Sequence, residues 1–253
     1  MIILRKSEQR LQIKTKNQTA WRTFDWENES DSLQNGFDRL KILNEDLLSP
    51  GTELTLHNHQ PMVIVTYVQE GVMIYGGPLE KCDLLEPGFF HRVNIDVNAQ
   101  NHKFKTILSG YAHIFQAGFA PDSVRLEPGG RKKFFTHVNR KGILRLIASP
   151  DGKDDSIPIQ PDIHMYSSFI HAGNDVIHKL KPHGNAWLHI VKGRGQLNHF
   201  QLQTGDGAGF SDERILSFAA QEPTEILLFD LGERVTQKAF MEKRKIAALS
   251  NTR

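Results

Sequence analysis

The sequence predicts an all-β protein built as two tandem β-barrels, and three observations carry that reading. First, apolar residues gather in short runs rich in β-branched and aromatic side chains: PMVIVTYV (61–68), TILSGYAHIFQAGF (106–119), GILRLIAS (142–149), AWLHIVKG (186–193) and EILLFDLG (225–232). Second, turn residues punctuate the chain at Gly76-Gly77-Pro78, Pro87-Gly88, Pro128-Gly129-Gly130, Asp151-Gly152 and Gly205-Asp206-Gly207. Third, VTYVQEGVMIYGG…LLEPGFF in the first half is echoed by WLHIVKGRGQLNHF…TGDGAGF in the second. Many short strands between turns suggest a sandwich or barrel. Two copies of one β unit, dividing near residues 136–142, give an N-terminal barrel over 1–138 and a C-terminal barrel over 139–253. Only TQKAFMEKRKIAALS (236–250) carries a helical pattern, and this helix is expected to pack outside the barrels.

With 39% hydrophobic and 24% charged residues, the 253-residue chain has the composition of a soluble globular protein. Its 31 basic and 29 acidic residues leave a net charge of +2, so no global field draws it to nucleic acid. The clusters Arg131-Lys132-Lys133 and Lys243-Arg244-Lys245 are short and read as solvated surface. Cys82 is the lone cysteine, which removes a disulfide framework and a zinc cluster of the CxxC kind. The start, MIILRKSEQR, lacks the apolar core of a signal peptide, and no apolar stretch is long enough for a membrane span. A cytoplasmic monomer without nucleic-acid or membrane partners is therefore expected. Gly205-Asp206-Gly207-Ala208-Gly209 lacks the Lys-Ser/Thr of a phosphate loop and reads as a β turn.

The chemistry concentrates in LTLHNHQPMVIVTYV (54–68). Side chains alternate faces in an extended segment, so positions 57, 59, 61 and 63 share one face. Both imidazoles of His57 and His59 would enter the barrel, with a carboxylate expected at 63, where the chain has Val63. On the same parity Val63, Val65 and Tyr67 are expected to point into the first barrel. A further histidine should come from another strand; His102 in VNAQNHKF is the best candidate, and His91 in PGFFHRVN competes with it. His113 and His189 read as packed or surface histidines. The second half shows no metal constellation, and Cys82 has no motif around it.

Several segments together resemble the pirin family, which joins two cupin barrels in tandem. Gly51, five residues, then His57-Asn58-His59 matches the opening of a cupin motif. AWRTFDWENESDSLQNGFDRLKILNEDLLSPG (20–51), LRLIASPDGKDDSIPI (144–159), GDGAGFSDERILSF (205–218) and LLFDL (227–231) follow the family's order over most of the chain. The resemblance implies an iron site made by two histidines of His-Pro-His, a third histidine, and a glutamate two residues beyond it. His57 and His59 match the first two. Aligning VNAQNHKF makes His102 the third ligand and puts Phe104 where the glutamate belongs. The family's intervening proline is Asn58 here, and its glycine pair is lost to Val97 and Ala99.

The implied cofactor is a divalent transition metal on His57, His59 and His102, iron first, with copper or zinc as alternatives. Without the anionic ligand the cation's charge is uncompensated, so a metal-free barrel stays open as well. The resemblance also implies two functions. Some pirins cleave flavonols such as quercetin with O2, and the missing glutamate would be the base, so no catalytic residue is assigned. Others are described as partners of transcription factors and metabolic enzymes. A non-enzymatic, small-molecule-binding or regulatory protein with a weakened metal centre is the expectation. A quercetin 2,3-dioxygenase type of enzyme is the alternative.

Overall fold

Residues 1–24, 28–56, 60–77, 82–96, 102–122 and 129–233 are described by the computed structural model. The all-β class is observed: strands and three short 3-10 turns make up the regular structure among these residues. The helix predicted over 236–250 lies outside them, and so do His57 and His59.

In the first half, a seven-stranded sheet runs in the spatial order Gly130–Phe134, Phe89–Ile95, Met62–Glu70, Ala112–Phe119, Leu40–Leu48, Gln18–Arg22, Leu11–Lys14. A four-stranded sheet pairs Glu53–Thr55, Lys103–Thr106, Met73–Gly76 and Cys82–Leu85 in that order. The second half repeats the plan. Its large sheet runs Ile2–Arg5, Gly207–Ser211, Gly184–Lys192, Thr224–Glu233, His164–Ile170, Arg145–Ser149, Ile157–Pro158. Its small sheet runs Asp175–Lys179, Ile215–Ala220, Arg194–Leu197, Phe200–Gln203.

Three apolar clusters show how these sheets stack. Ile64, Val68 and Val93 of the first large sheet pack with Met73, Leu85 and Phe104 of the first small sheet, filling the first barrel. Leu188, Ile190 and Phe210 pack with Val176, Leu216 and Phe218, filling the second. The third cluster lies between the two large sheets and joins Val63, Val65 and Phe119 to Trp187, Leu227 and Phe229. Phe24 meets the Trp187 ring edge-on at 5.1 Å, and Phe119 lies 5.9 Å from Phe229. The order of layers is small, large, large, small.

The central strands of the large sheets are therefore buried on both faces. That is why Met62–Glu70 reads MVIVTYV without alternation. It also corrects the parity expectation. Val63, Val65 and Tyr67 are buried, but they belong to the cluster between the barrels, while Met62, Ile64 and Val68 fill the first barrel. The chain passes from the small sheet at Glu53–Thr55 to the large sheet at Met62, so the parity of His57 does not carry across.

Two further expectations change. The apolar run 106–119 divides into Lys103–Thr106 and Ala112–Phe119, which lie in different sheets. The first strand, Ile2–Arg5, does not sit in the sheets of the first half; it pairs with Gly207–Ser211 of the second. Asp206 anchors this crossing: wholly buried, it accepts the Ser7 backbone N–H at 2.8 Å and the Lys6 ammonium at 3.0 Å. The Gly205-Asp206-Gly207 turn expected from the sequence is present, with Gly205 at φ +84° and the strand resuming at Gly207.

Polar side chains also bridge the halves. Arg140 donates to Tyr67 Oη at 3.0 Å, Ser167 Oγ at 3.1 Å and Glu225 Oε1 at 3.1 Å. Tyr67 Oη donates to the same Glu225 oxygen at 2.5 Å. Elsewhere, Glu45 accepts from Arg10 at 2.6 Å and pairs with His113 Nε2 at 2.8 Å. Charge-assisted bonds of this kind offset the cost of burying the ions.

Candidate metal centre

His102 is the one predicted ligand among the described residues, and its position follows from local pairing. It immediately precedes the strand Lys103–Thr106, and its carbonyl accepts the Leu56 N–H at 2.9 Å. Residues 102 and 104 share a face, so both turn inward: His102 is 4% exposed and Phe104 is fully buried. Phe104 pairs across the small sheet with Tyr75. The Tyr75 ring lies 5.0 Å from Phe104 and 6.0 Å from His102, and its hydroxyl is hydrogen-bonded to His102 Nδ1 at 2.6 Å.

This bond orients the imidazole. In the tautomer with the proton on Nδ1, His102 donates to Tyr75 and leaves the Nε2 lone pair open to a metal. Burial lowers the His102 pKa, which favours the neutral form that a ligand requires. Burial, reinforced by Asp83, pushes the Tyr75 hydroxyl up to about 12, so it stays protonated. His102 thus offers a cation one neutral imidazole donor, and Phe104 offers no atom to it. His57 and His59 would complete the set, and both lie outside the described residues. Among the described residues no group of three or more His, Cys, Asp or Glu side chains is placed to hold a metal.

Sequence reasoning missed Tyr75, because only strand pairing puts it opposite Phe104. In the sequence His91 competes with His102 but falls a turn and a strand too early to match the family's third ligand. His91 enters the same interior from the large sheet, with its ring 4.3 Å from Tyr75 and 6.0 Å from Phe104. It is wholly buried, and neither ring nitrogen has a hydrogen-bond partner among the described residues. Its Nε2 faces Asp83 at 4.0 Å, too far for a hydrogen bond, and lies against the Gly130 backbone, where a Cβ would come within 2.9 Å. Burial, with Asp83 opposing, takes its pKa down to about 4, so the ring is neutral.

In the second half, pairing gathers histidines that looked scattered. His164 pairs across strands with Asp230, His178 Nε2 bonds Asp230 Oδ2 at 2.9 Å, and the Tyr166 and His178 rings lie 5.0 Å apart. Although burial opposes it, His178 holds Asp230 below the usual carboxylate range. Of the two histidines read as packed or surface, His189 is wholly buried between the barrels and 5.9 Å from Phe115, while His113 bonds Glu45.

Two barrels, each closed by a large and a small sheet, with a histidine-bearing interior in the first, define a tandem cupin protein. Comparison with known proteins narrows this class. A family profile described as "Quercetinase C-terminal cupin domain" matches residues 146–231. The chain is 27% identical to a quercetin 2,3-dioxygenase of Escherichia coli K12 over 231 residues, 91% of this chain and 99% of that protein. It is 26% identical to a pirin-like protein of Caulobacter vibrioides over 192 residues, 76% of this chain and 82% of that one. The crystal structure of Escherichia coli YhhW superposes with a TM-score of 0.82 at 25% identity, covering 92% of this chain and 98% of that one. The bacterial pirin YhhW in complex with nickel(II) superposes at 0.80, covering 92% and 100%. In sequence and in fold the chain is similar to pirin-like bicupins of the cupin superfamily. Among the described residues no helix is long and apolar enough to cross a membrane.

Proposed function

We propose that this pirin-like bicupin is a small-molecule-binding or regulatory protein whose first barrel takes a divalent metal weakly, through imidazoles, and does not turn over flavonols. One observation carries the reading. Phe104 fills the place beside His102 where the family resemblance puts a carboxylate, and it is sealed there by Tyr75 and His91. Restoring an anion would require displacing a fully buried ring, so the chain supplies neither an anionic ligand nor a base at that position. Tyr75 does not replace the base, because at a pKa of about 12 its hydroxyl holds its proton. His57, His59 and His102 would hold the ion, iron first and copper or zinc next. When bound it would supply a Lewis acid. In this reading the chain acts as a cytoplasmic monomer that meets a small molecule or a protein partner.

The second reading, a metal-dependent dioxygenase of the quercetin 2,3-dioxygenase type, draws on the relative of that name matched over 91% of the chain. The nickel complex of YhhW supports metal binding in either case. One experiment separates the readings. The protein is reconstituted anaerobically with Fe(II), Mn(II), Co(II), Ni(II) or Cu(II), and oxygen uptake is followed with quercetin. Turnover at background is expected. Rapid uptake that disappears in His57→Ala and His59→Ala establishes the dioxygenase instead.

A further inference from the structure

The barrels leave a groove between them on the side where Arg140, Tyr67 and Glu225 meet. Two adjoining cavities of about 230 and 240 Å³ lie there and share Gln69, His137, Phe169 and Glu225 as lining. The floor is built rather than incidental: Tyr67, Arg140 and Glu225 are each 3% exposed or less and bonded to one another. The two bonds that Glu225 accepts, from Tyr67 and Arg140, both fall on Oε1. Its second oxygen accepts no hydrogen bond among the described residues, and Glu225 lines both cavities.

The walls are aromatic. Phe169 lies 4.1 Å from the His137 ring, and the Arg140 guanidinium sits 4.4 Å from the Phe169 centroid. Phe134, half exposed, extends the second cavity. The rim is basic. Lys192 and His171 line the first cavity, and Glu225, matched by Arg140, is the only acid among its described lining residues. None of these groups points at the His102 interior, because Tyr67 faces the cluster between the barrels.

We propose that this groove is a second ligand site, for a small single-ring aromatic carboxylate that also carries a hydrogen-bond donor. The ring lies against Phe169 and His137, the ligand's carboxylate pairs with Lys192, and its hydroxyl or amino group donates to the open oxygen of Glu225. Gln69 offers a further amide from the first barrel, so an occupied groove clamps the two halves together. The cavities are smaller than the ~300–1,000 Å³ of drug-sized sites, which limits the ligand to one ring.

The test uses the full chain and 4-hydroxybenzoate, with benzoate and phenol as comparisons, by isothermal titration calorimetry. Saturable binding is expected, with benzoate and phenol each at least tenfold weaker. Lys192→Ala should weaken 4-hydroxybenzoate about tenfold and leave phenol unchanged. Gln69→Ala tests the first-barrel wall without disturbing the buried pair, and it should weaken 4-hydroxybenzoate severalfold. Glu225→Gln should erase the preference for 4-hydroxybenzoate over benzoate. His102→Ala should bind 4-hydroxybenzoate as the parent does. The proposal is overturned by no binding at millimolar ligand, by affinity unchanged in both Lys192→Ala and Gln69→Ala, or by loss of binding in His102→Ala.

Discussion

Replacing Phe104 with glutamate tests the metal centre from both sides at once. The ring is fully buried, with Tyr75 5.0 Å and His91 6.0 Å from its centroid. Removing such a ring costs about 3–5 kcal/mol for truncation alone. An unpartnered carboxylate in its place adds a desolvation cost of order 2 kcal/mol or more. For a chain of this size ~1 kcal/mol shifts the melting temperature by about 2–4 °C, so truncation alone lowers it by roughly 6–20 °C in chelator. The same carboxylate lies on the face of His102 and gives the centre an anionic ligand. Metal affinity should rise at least tenfold, which requires only ~1.4 kcal/mol. Saturating nickel(II) or zinc(II) should then recover much of the lost melting temperature. Phe104→Leu serves as the control, losing stability without gaining affinity. The assay is calorimetric metal titration paired with thermal melts in chelator and in metal. The reasoning is refuted if a folded Phe104→Glu binds metal no more tightly than the parent while His57→Ala also changes nothing. In that case the histidines are not a metal site.

Other perturbations have equally definite outcomes. Burial opposes ionisation of Glu45, but the His113 hydrogen bond and Arg10 outweigh it and hold its pKa at about 2, below its usual 4.5. Its contribution is therefore full above pH 4.5 and disappears as pH falls toward 2; it is worth about 3 kcal/mol. Glu45→Gln should flatten the acid limb of a urea-denaturation series below pH 4.5. His189 and His91 lose stability over a higher window, because burial takes their pKa values down to about 3 and about 4 from 6.5. Both imidazoles gain protons only on unfolding, so stability should begin to fall below pH 6.5, and His189→Gln should blunt that early loss. Tyr75→Phe removes the partner of His102 Nδ1. It should cost about 1 kcal/mol in chemical denaturation and lower metal affinity ~10–100-fold. Asp206→Ala should free the Ser7 N–H and Lys6 from their buried acceptor, costing about 2–3 kcal/mol and raising hydrogen exchange across Ile2–Arg5.

Composition and local pattern were enough to establish the class of this protein. Apolar runs bounded by glycine and proline are what short buried strands require, and the repeated unit follows from the same local signals. The family order of segments located His102, and the i, i+2 rule placed Phe104 on its face. Local pattern could not assign faces in a strand buried on both sides, because apolar residues at every position leave no alternation to read. Val63, Val65 and Tyr67 were legible as core, but which core they fill was decided by the packing of one large sheet on the other. The run 106–119 could not reveal its division, since both halves are apolar and only pairing sends them to different sheets. Ile2–Arg5 carries no mark of its partner two hundred residues away. Tyr75, Arg140 and Glu225 show nothing in sequence either, because their meaning lies in cross-strand and inter-barrel distances. Hydrophobic pattern acts through nearest neighbours along the chain, whereas a site is made by residues that only tertiary contact brings within hydrogen-bonding reach.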